Sequence, residues 1–330
     1  MGLLVDGQWV DEWYDTKANQ GEFKRQQSRF RHQISKEGND TSSPYIAEAD
    51  RYHLYVSLAC PWAHRTLIFR QLKQLQPIIS VSVVQPKMLD NGWEFSPQSE
   101  QSPYKDDIYG HDYLYQLYLQ AAPDYQGRVT VPVLWDKQTQ TIVNNESSDI
   151  IRIMNSTFNH LTGNQNDYYP QALRGEIDAI NQRVYDTINN GVYRAGFATS
   201  QSAYEQAFDA LFASLDWLEQ RLATQRYLIG NQITEADWRL FTTLVRFDAV
   251  YFGHFKCNRQ QLLDYHHLSQ YLRDLYQQPG IAATVDLDYS KLHYYGSHKT
   301  INPTGVIPKG PLLDFNAPHQ RDHWETLEPK

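Results

Sequence analysis

Residues 53–65 constrain this chain more than any other stretch, because they join a strand to a helix through a single Cys-Pro pair. Leu54 and Val56 fall on one face of the strand, and the aromatic and β-branched residues there favour an extended chain. Pro61 suits the first helical position, since it has no N–H to leave unsatisfied and its φ is already helical. Ile68, Leu72 and Leu75 then recur at helical spacing, so the helix buries one face. Cys60 falls at or next to the N-cap. There a thiol meets the unpaired N–H groups of the first turn and the positive end of the helix dipole. Both favour the thiolate and pull its pKa below the free value of about 8.5, which makes Cys60 a candidate nucleophile. Two plainer readings compete. A free cysteine is often a small buried hydrophobe. Cys60 and His64, four apart on one helix face, also make half of a zinc site. No third or fourth ligand stands nearby in the sequence, so no metal is expected.

The 330 residues suffice for two domains with a sizeable core. A net charge of −8 disfavours nucleic acid and anionic membranes as partners. No apolar run reaches membrane-spanning length, and residues 1–30 lack the apolar core of a signal peptide. Cys60 and Cys257 are the only cysteines, so the chain is no disulfide scaffold and a reducing cytoplasm is its expected setting. Its 23 tyrosines fit aromatic-lined clefts as well as ordinary packing, so abundance alone singles out none of them.

Residues 1–49 are polar and irregular, with a short strand expected at 7–10. They read as an N-terminal extension laid over the globular part or partly mobile. Past the Cys60 helix, Pro77 breaks the chain and 78–84 reads as a buried strand, completing a right-handed, parallel βαβ unit. Residues 85–127 are too long for a plain connection; a helix is expected at 110–120 with Leu114, Leu117 and Tyr118 inward. The strand at 130–135 contains Pro132, which forfeits a ladder bond. A cis bond at Val131–Pro132 would bend the chain and free the Val131 backbone for a ligand. A hairpin turn at 136–140 leads into a strand at 141–143. The Ser and Asp residues of 145–149 then cap a short helix whose N-terminus is a second anion-binding spot. From about 171 the pattern turns helical. Ile177, Ile180, Val184 and Ile188 form one stripe; Phe208, Leu211, Phe212, Leu215, Leu218 and Leu222 form another. Thr234 and Asp237 make a capping-box-like start, and 268–276 is a helix that stops before Pro279-Gly280.

Strand, Cys-Pro helix, strand, Val-Pro strand, hairpin, Glu-Ser helix and an all-α half follow the order of the glutathione transferases, which this chain resembles over nearly its whole length. The resemblance implies a fold of α/β plus all-α type. A thioredoxin-like, glutathione-binding domain would occupy 50–160, with an insertion at about 85–127. A helical-bundle domain would follow at 171–285, with a C-terminal extension at 286–330. Within that superfamily, Cys60-Pro61-Trp62-Ala63-His64 resembles the Xi class, the glutathionyl-hydroquinone reductases. The insertion and the stretches at 192–198 and 292–298 fit the same class.

That likeness implies reduction of glutathionyl-hydroquinones through a mixed disulfide of Cys60 with glutathione, which is co-substrate rather than bound cofactor. Glu146 would pair with the γ-glutamyl amine, and Ser147 would hold the adjacent carboxylate at the helix start. The Val131 backbone would pair with the cysteinyl part as a short added strand. Trp93 and Arg128 stand where the resemblance places contacts to the glycyl and cysteinyl parts. Plain helix capping is the competing reading of Glu146 and Ser147, and Arg128 after a glycine turn needs no function. Tyr193 and Tyr294 are the tyrosines the resemblance selects over the thiol, with His293 and Tyr295 close alternatives. It also suggests a homodimer. Position 63 is Ala, so there is no Cys-x-x-Cys pair, and a second glutathione would resolve the disulfide. An omega-like thioltransferase or dehydroascorbate reductase is the alternative enzyme, and a non-catalytic binding or assembly module of the same fold is the third reading.

Overall fold

A computed structural model describes residues 2–36, 43–96 and 102–326. Parts of both expected extensions and of the insertion, at 1, 37–42, 97–101 and 327–330, lie outside the described residues. The chain forms two compact units. The first gathers Met1–Trp13, Arg25–Asn166 and Asp288–Ser297; the second gathers Tyr14–Lys24, Asp167–Leu287 and His298–Lys330.

The first unit is built on a four-stranded mixed sheet. Its strands are β3 (Tyr52–Val56), β4 (Ile79–Val83), β6 (Val133–Asp136) and β7 (Thr141–Asn144), in the spatial order β4-β3-β6-β7. Helix α1 (Pro61–Leu72) connects β3 to β4, which pair in parallel from Tyr52↔Ile79 to Val56↔Val83. The other two pairings are antiparallel. The 130–135 strand starts only at Val133, because Pro132 has no N–H for the ladder; the Val131–Pro132 bond is cis, as expected from the sequence. Helix α3 (Ser147–Ser156) packs against α1. Leu54, Val56, Ile68, Phe69, Leu134, Trp135, Ile150 and Met154 are all fully buried and form this core. Each contributes up to about 1.5–3 kcal/mol of transfer free energy.

The 85–127 insertion is tied to that sheet. Its helix α2 (Leu114–Ala121) buries Leu114, Leu117 and Tyr118. Tyr55 of β3 donates its hydroxyl to Asp106 at 2.8 Å, and the Asp106 carboxylate also accepts from His111 Nδ1 at 2.7 Å. Burial alone would push that carboxyl up, but hydrogen bonds from His111, Ile108 and Tyr55 together hold it down at about 2. At the N-terminus, β1 (Leu3–Val5) and β2 (Gln8–Val10) form a hairpin, and β1 also pairs with β5 (Gly127–Arg128). Its two turn residues, Asp6 and Gly7, both have positive φ (48° and 74°), the demand an Asp-Gly pair meets.

Beyond α4 (Asn159–Thr162), the second unit is helical. It contains α5 (Arg174–Val184), α6 (Gly191–Gly196), α7 (Gln201–Leu222), α8 (Glu235–Arg246), α9 (Phe252–His254) and α10 (His266–Tyr276). The Ile177 to Ile188 stripe is buried throughout, and in the α7 stripe only Phe208 is half-buried. Helix α8 is buried on every side: each of its residues from Glu235 to Arg246 is buried. Its capping box forms: Ala236 N–H donates to Thr234 Oγ1 at 3.3 Å and Thr234 N–H to Asp237 Oδ2 at 2.8 Å. Asp237 also accepts from Leu228 N–H and the Tyr271 hydroxyl, so one buried carboxylate joins three segments. Residues 14–24 pack here rather than on the first unit. Gly21 has φ +89°, and a Cβ there would lie 2.7 Å from the Ser200 backbone nitrogen, so only glycine fits. Near the C-terminus, buried Arg321 donates to the carbonyl oxygens of Leu222, Gln225 and Arg226 and caps the end of α7.

Residues 286–330 do not stay together. Helix α11 (Leu287–Ser297) places Asp288–Ser297 with the first unit, and the chain from His298 onward belongs to the second. Tyr289, His293 and Ser297 are among the side chains that make the attachment. Tyr289 donates to the Val84 carbonyl at 2.6 Å, His293 Nδ1 lies 2.9 Å from the Pro86 carbonyl, and Ser297 Oγ accepts from Met88 N–H at 2.9 Å.

Candidate active site

The strand-to-helix turn forms as the sequence indicates. Ser57 Oγ accepts from Ala59 N–H at 3.3 Å, and Cys60 N–H donates to the Ser57 carbonyl at 3.1 Å. Cys60 is the N-cap of α1 with extended φ/ψ, and Pro61 is the first helical residue. The thiol is partly exposed, and Sγ lies 3.6 Å from the Val131 carbonyl oxygen. Tyr118 holds the loop before Pro132 by donating to the Thr130 carbonyl at 2.8 Å, while Asn145 Nδ2 donates to the same hydroxyl at 3.2 Å. Cys257 differs: it is fully buried, and burial pushes its thiol far up.

Against α1, the helix that Cys60 caps, packs helix α3. Glu146 is its N-cap, accepting from Ser148 N–H at 3.2 Å and Ser148 Oγ at 3.0 Å. Capping is therefore one role Glu146 fills, and its second oxygen takes a bond from Ser28 at 3.1 Å. Ser147 is buried, and its hydroxyl accepts from Arg65 Nη1 at 3.3 Å. Arg65 is itself buried on α1, with its guanidinium 4.5 Å from the centre of the Trp62 ring. A side chain five residues after Cys60 thus reaches the start of the other site helix. Pattern reasoning missed it, although an arginine amid the buried face of α1 was the available signal.

Trp93 is buried and stacks on His293 of α11, with ring centres 5.0 Å apart and planes 18° apart. Tyr294, next along α11, is fully buried, its ring 5.0 Å from that of His293 with planes 79° apart. Arg128 sits on β5 and donates to the Glu12 carbonyl, which ties the small N-terminal sheet together. Tyr193 belongs to the second unit, in an aromatic cluster with Phe23, Phe197, Tyr251 and Phe255 at 5.5–6.4 Å. The structure therefore joins Cys60 to Val131 and Glu146 to Ser147, links Trp93 to the Tyr294 helix, and ties Arg128 to the N-terminal hairpin. Among the described residues, no group of three or more His, Cys, Asp or Glu side chains is arranged to hold a metal ion. No helix among them is long and apolar enough to cross a membrane.

The glutathione S-transferase N-terminal domain model matches residues 59–157, and the glutathione S-transferase C-terminal domain model matches 201–274. Fold and site together define a glutathione transferase with a cysteine at the head of its first helix. The chain is 58% identical over 325 residues to a glutathionyl-hydroquinone reductase of Escherichia coli (strain K12), covering 98% of this chain and 99% of that one. A glutathione-bound structure of a glutathione transferase homolog from Escherichia coli K-12 superposes with TM-score 0.87 at 54% identity, over 97% of this chain and 99% of that one. A Xi-class enzyme of Natrialba magadii superposes with TM-score 0.89 at 47% identity, over 98% and 97% of the two chains. The chain belongs to the Xi class of glutathione transferases, the glutathionyl-hydroquinone reductases.

Proposed function

We propose that the chain exercises its family's reductase activity through Cys60. The thiolate attacks the sulfur of the glutathionyl thioether and forms the Cys60–glutathione disulfide. Departure of the ring requires its carbon to be protonated, most easily if the ring first becomes a keto tautomer; the carbon–sulfur bond then breaks, its electron pair passes through the ring to the carbonyl oxygen, and that oxygen takes a proton to give the hydroquinone. A second glutathione, as thiolate, attacks the mixed disulfide and leaves as oxidised glutathione, regenerating Cys60. Each turnover so oxidises two glutathionyl groups to one disulfide and releases free hydroquinone.

The observation that carries this reading is the Cys60 sulfur at the N-cap of α1, 3.6 Å from the Val131 carbonyl. A cysteinyl backbone paired with Val131 in strand fashion brings its own sulfur to the Cys60 sulfur. Glu146 pairs with the γ-glutamyl amine, and Ser147, at the start of α3, takes the carboxylate. Trp93 and Arg128 complete the glycyl and cysteinyl contacts. Tyr193 and Tyr294 supply phenol groups for the quinol ring and for proton movement. A homodimer in a reducing cytoplasm is the proposed working state. Incubation with a glutathionyl-hydroquinone and glutathione tests the class: free hydroquinone and oxidised glutathione in equal amounts support it. Reduction confined to small disulfides or dehydroascorbate would move the chain to omega-like chemistry.

A further inference from the structure

Residues 28–32 lie far from the site in sequence but run along the start of α3. His32 N–H donates to the Val143 carbonyl at 3.0 Å, and Asn145 N–H donates to the Phe30 carbonyl at 3.0 Å. Phe30 N–H donates to Asn145 Oδ1 at 3.2 Å, and Asn144 Nδ2 to the His32 carbonyl at 3.1 Å. The segment thus continues the edge of β7 as a short antiparallel ribbon, with Arg31 opposite Asn144. Two of its side chains reach two carboxylates of α3. Arg31 forks onto Asp149 through Nε and Nη2, both at 2.7 Å. Ser28 Oγ lies 3.1 Å from Glu146 Oε2 and 3.2 Å from the Asn145 carbonyl, so its one proton is shared between them.

We propose that Ser28 is a positioning residue for glutathione, acting through Glu146, with Arg31 anchoring the segment that carries it. This rests on the reading of Glu146 as the partner of the γ-glutamyl amine. The helix cap restrains only Oε1, through Ser148 N–H and Oγ. Ser28 restrains Oε2, and the two together stop rotation of the carboxylate before ligand arrives. An ionised carboxylate has about four lone-pair sites, so Glu146 keeps room for an ammonium donor. A preorganised acceptor spares the ordering cost otherwise incurred on binding.

Calorimetric titration of the full chain tests this, using glutathione and the analogue whose γ-glutamyl group is replaced by glutaryl, which lacks the amine. Ser28→Ala is expected to weaken glutathione about tenfold, the weight of one hydrogen bond to a charged group. The glutaryl analogue should bind Ser28→Ala and the parent chain equally. Ser28→Thr, which keeps the hydroxyl, should restore glutathione affinity. A Ser28→Ala loss that is equal for both ligands, or absent for both, overturns the proposal. Glu146→Ala separates the two readings. If it too fails to discriminate between the ligands, the assignment of Glu146 to the amine fails first and takes the proposal with it. If it discriminates and Ser28→Ala does not, only the proposal fails.

Discussion

The sulfur of Cys60 and the carbonyl oxygen of Val131 lie 3.6 Å apart, although 71 residues separate them in sequence. One residue is the nucleophile candidate at the head of α1, and the other precedes the cis proline that opens β6. A peptide thiol docked along Val131 would have little choice but to present its sulfur to Cys60.

Native-state alkylation should separate the two cysteines. Cys60 is partly exposed at a helix start, whereas Cys257 is buried and burial pushes its thiol far up. Iodoacetamide at neutral pH should modify Cys60 and spare Cys257 until the chain is denatured, as read by peptide mass mapping. Cys60→Ser should abolish reductase turnover, and Cys257→Ser should not. Labelling of Cys257 at the rate of Cys60 would contradict this account.

Glu146→Ala and Ser147→Ala should each weaken glutathione by about tenfold to a hundredfold, the range for a lost charged hydrogen bond. Glu146→Ala should also lower the melting temperature, because it removes the α3 cap, a loss of about 1 kcal/mol. Calorimetry beside thermal melting resolves the two effects. A drop in melting temperature with unchanged affinity would leave these residues as caps alone.

Tyr193→Phe and Tyr294→Phe should slow turnover of a glutathionyl-hydroquinone while sparing thiol exchange with a small glutathione mixed disulfide. The first reaction protonates carbon; the second expels a thiolate and does not. The substitution removes only the hydroxyl, so both buried rings keep their packing. Parallel losses on the two substrates would make the tyrosines pocket supports.

His53 should make stability pH-dependent. It is fully buried on β3, its Nδ1 lies 2.7 Å from Ser80 Oγ, and burial lowers its pKa from the usual 6.5 to about 4. The folded state then resists a proton that the unfolded chain accepts. The stabilisation is complete above the unfolded value of about 6.5 and is lost as pH falls toward 4, on the order of 3 kcal/mol in all. Urea unfolding of His53→Gln at pH 7 and pH 5 should show a flatter pH dependence than the parent chain. Matching pH dependences would falsify the assignment.

The sequence by itself determined what neighbours within a turn or two decide. Pro61 and the alternation before it were enough for the strand, the turn and the N-cap position of Cys60. Pro132 predicted its own absence from the ladder, and Thr234 with Asp237 predicted a capping box. Of the N-terminal hairpin, the sequence announced only a strand at 7–10; its partner β1 and the turn at Asp6 and Gly7 came from the structure. Helical periodicity located the bundle, but it could not show that α8 is buried on every side, because total burial erases the contrast from which period is read. The partners of the site residues were decided only by the tertiary structure. Arg65 reaches Ser147 across 82 residues, Ser28 reaches Glu146 across 118, and Tyr289 reaches the Val84 carbonyl across 205. Such pairs are single polar contacts between distant segments. They impose no spacing on either strand or helix, so they become visible only when the folded chain brings the two ends of each bond together.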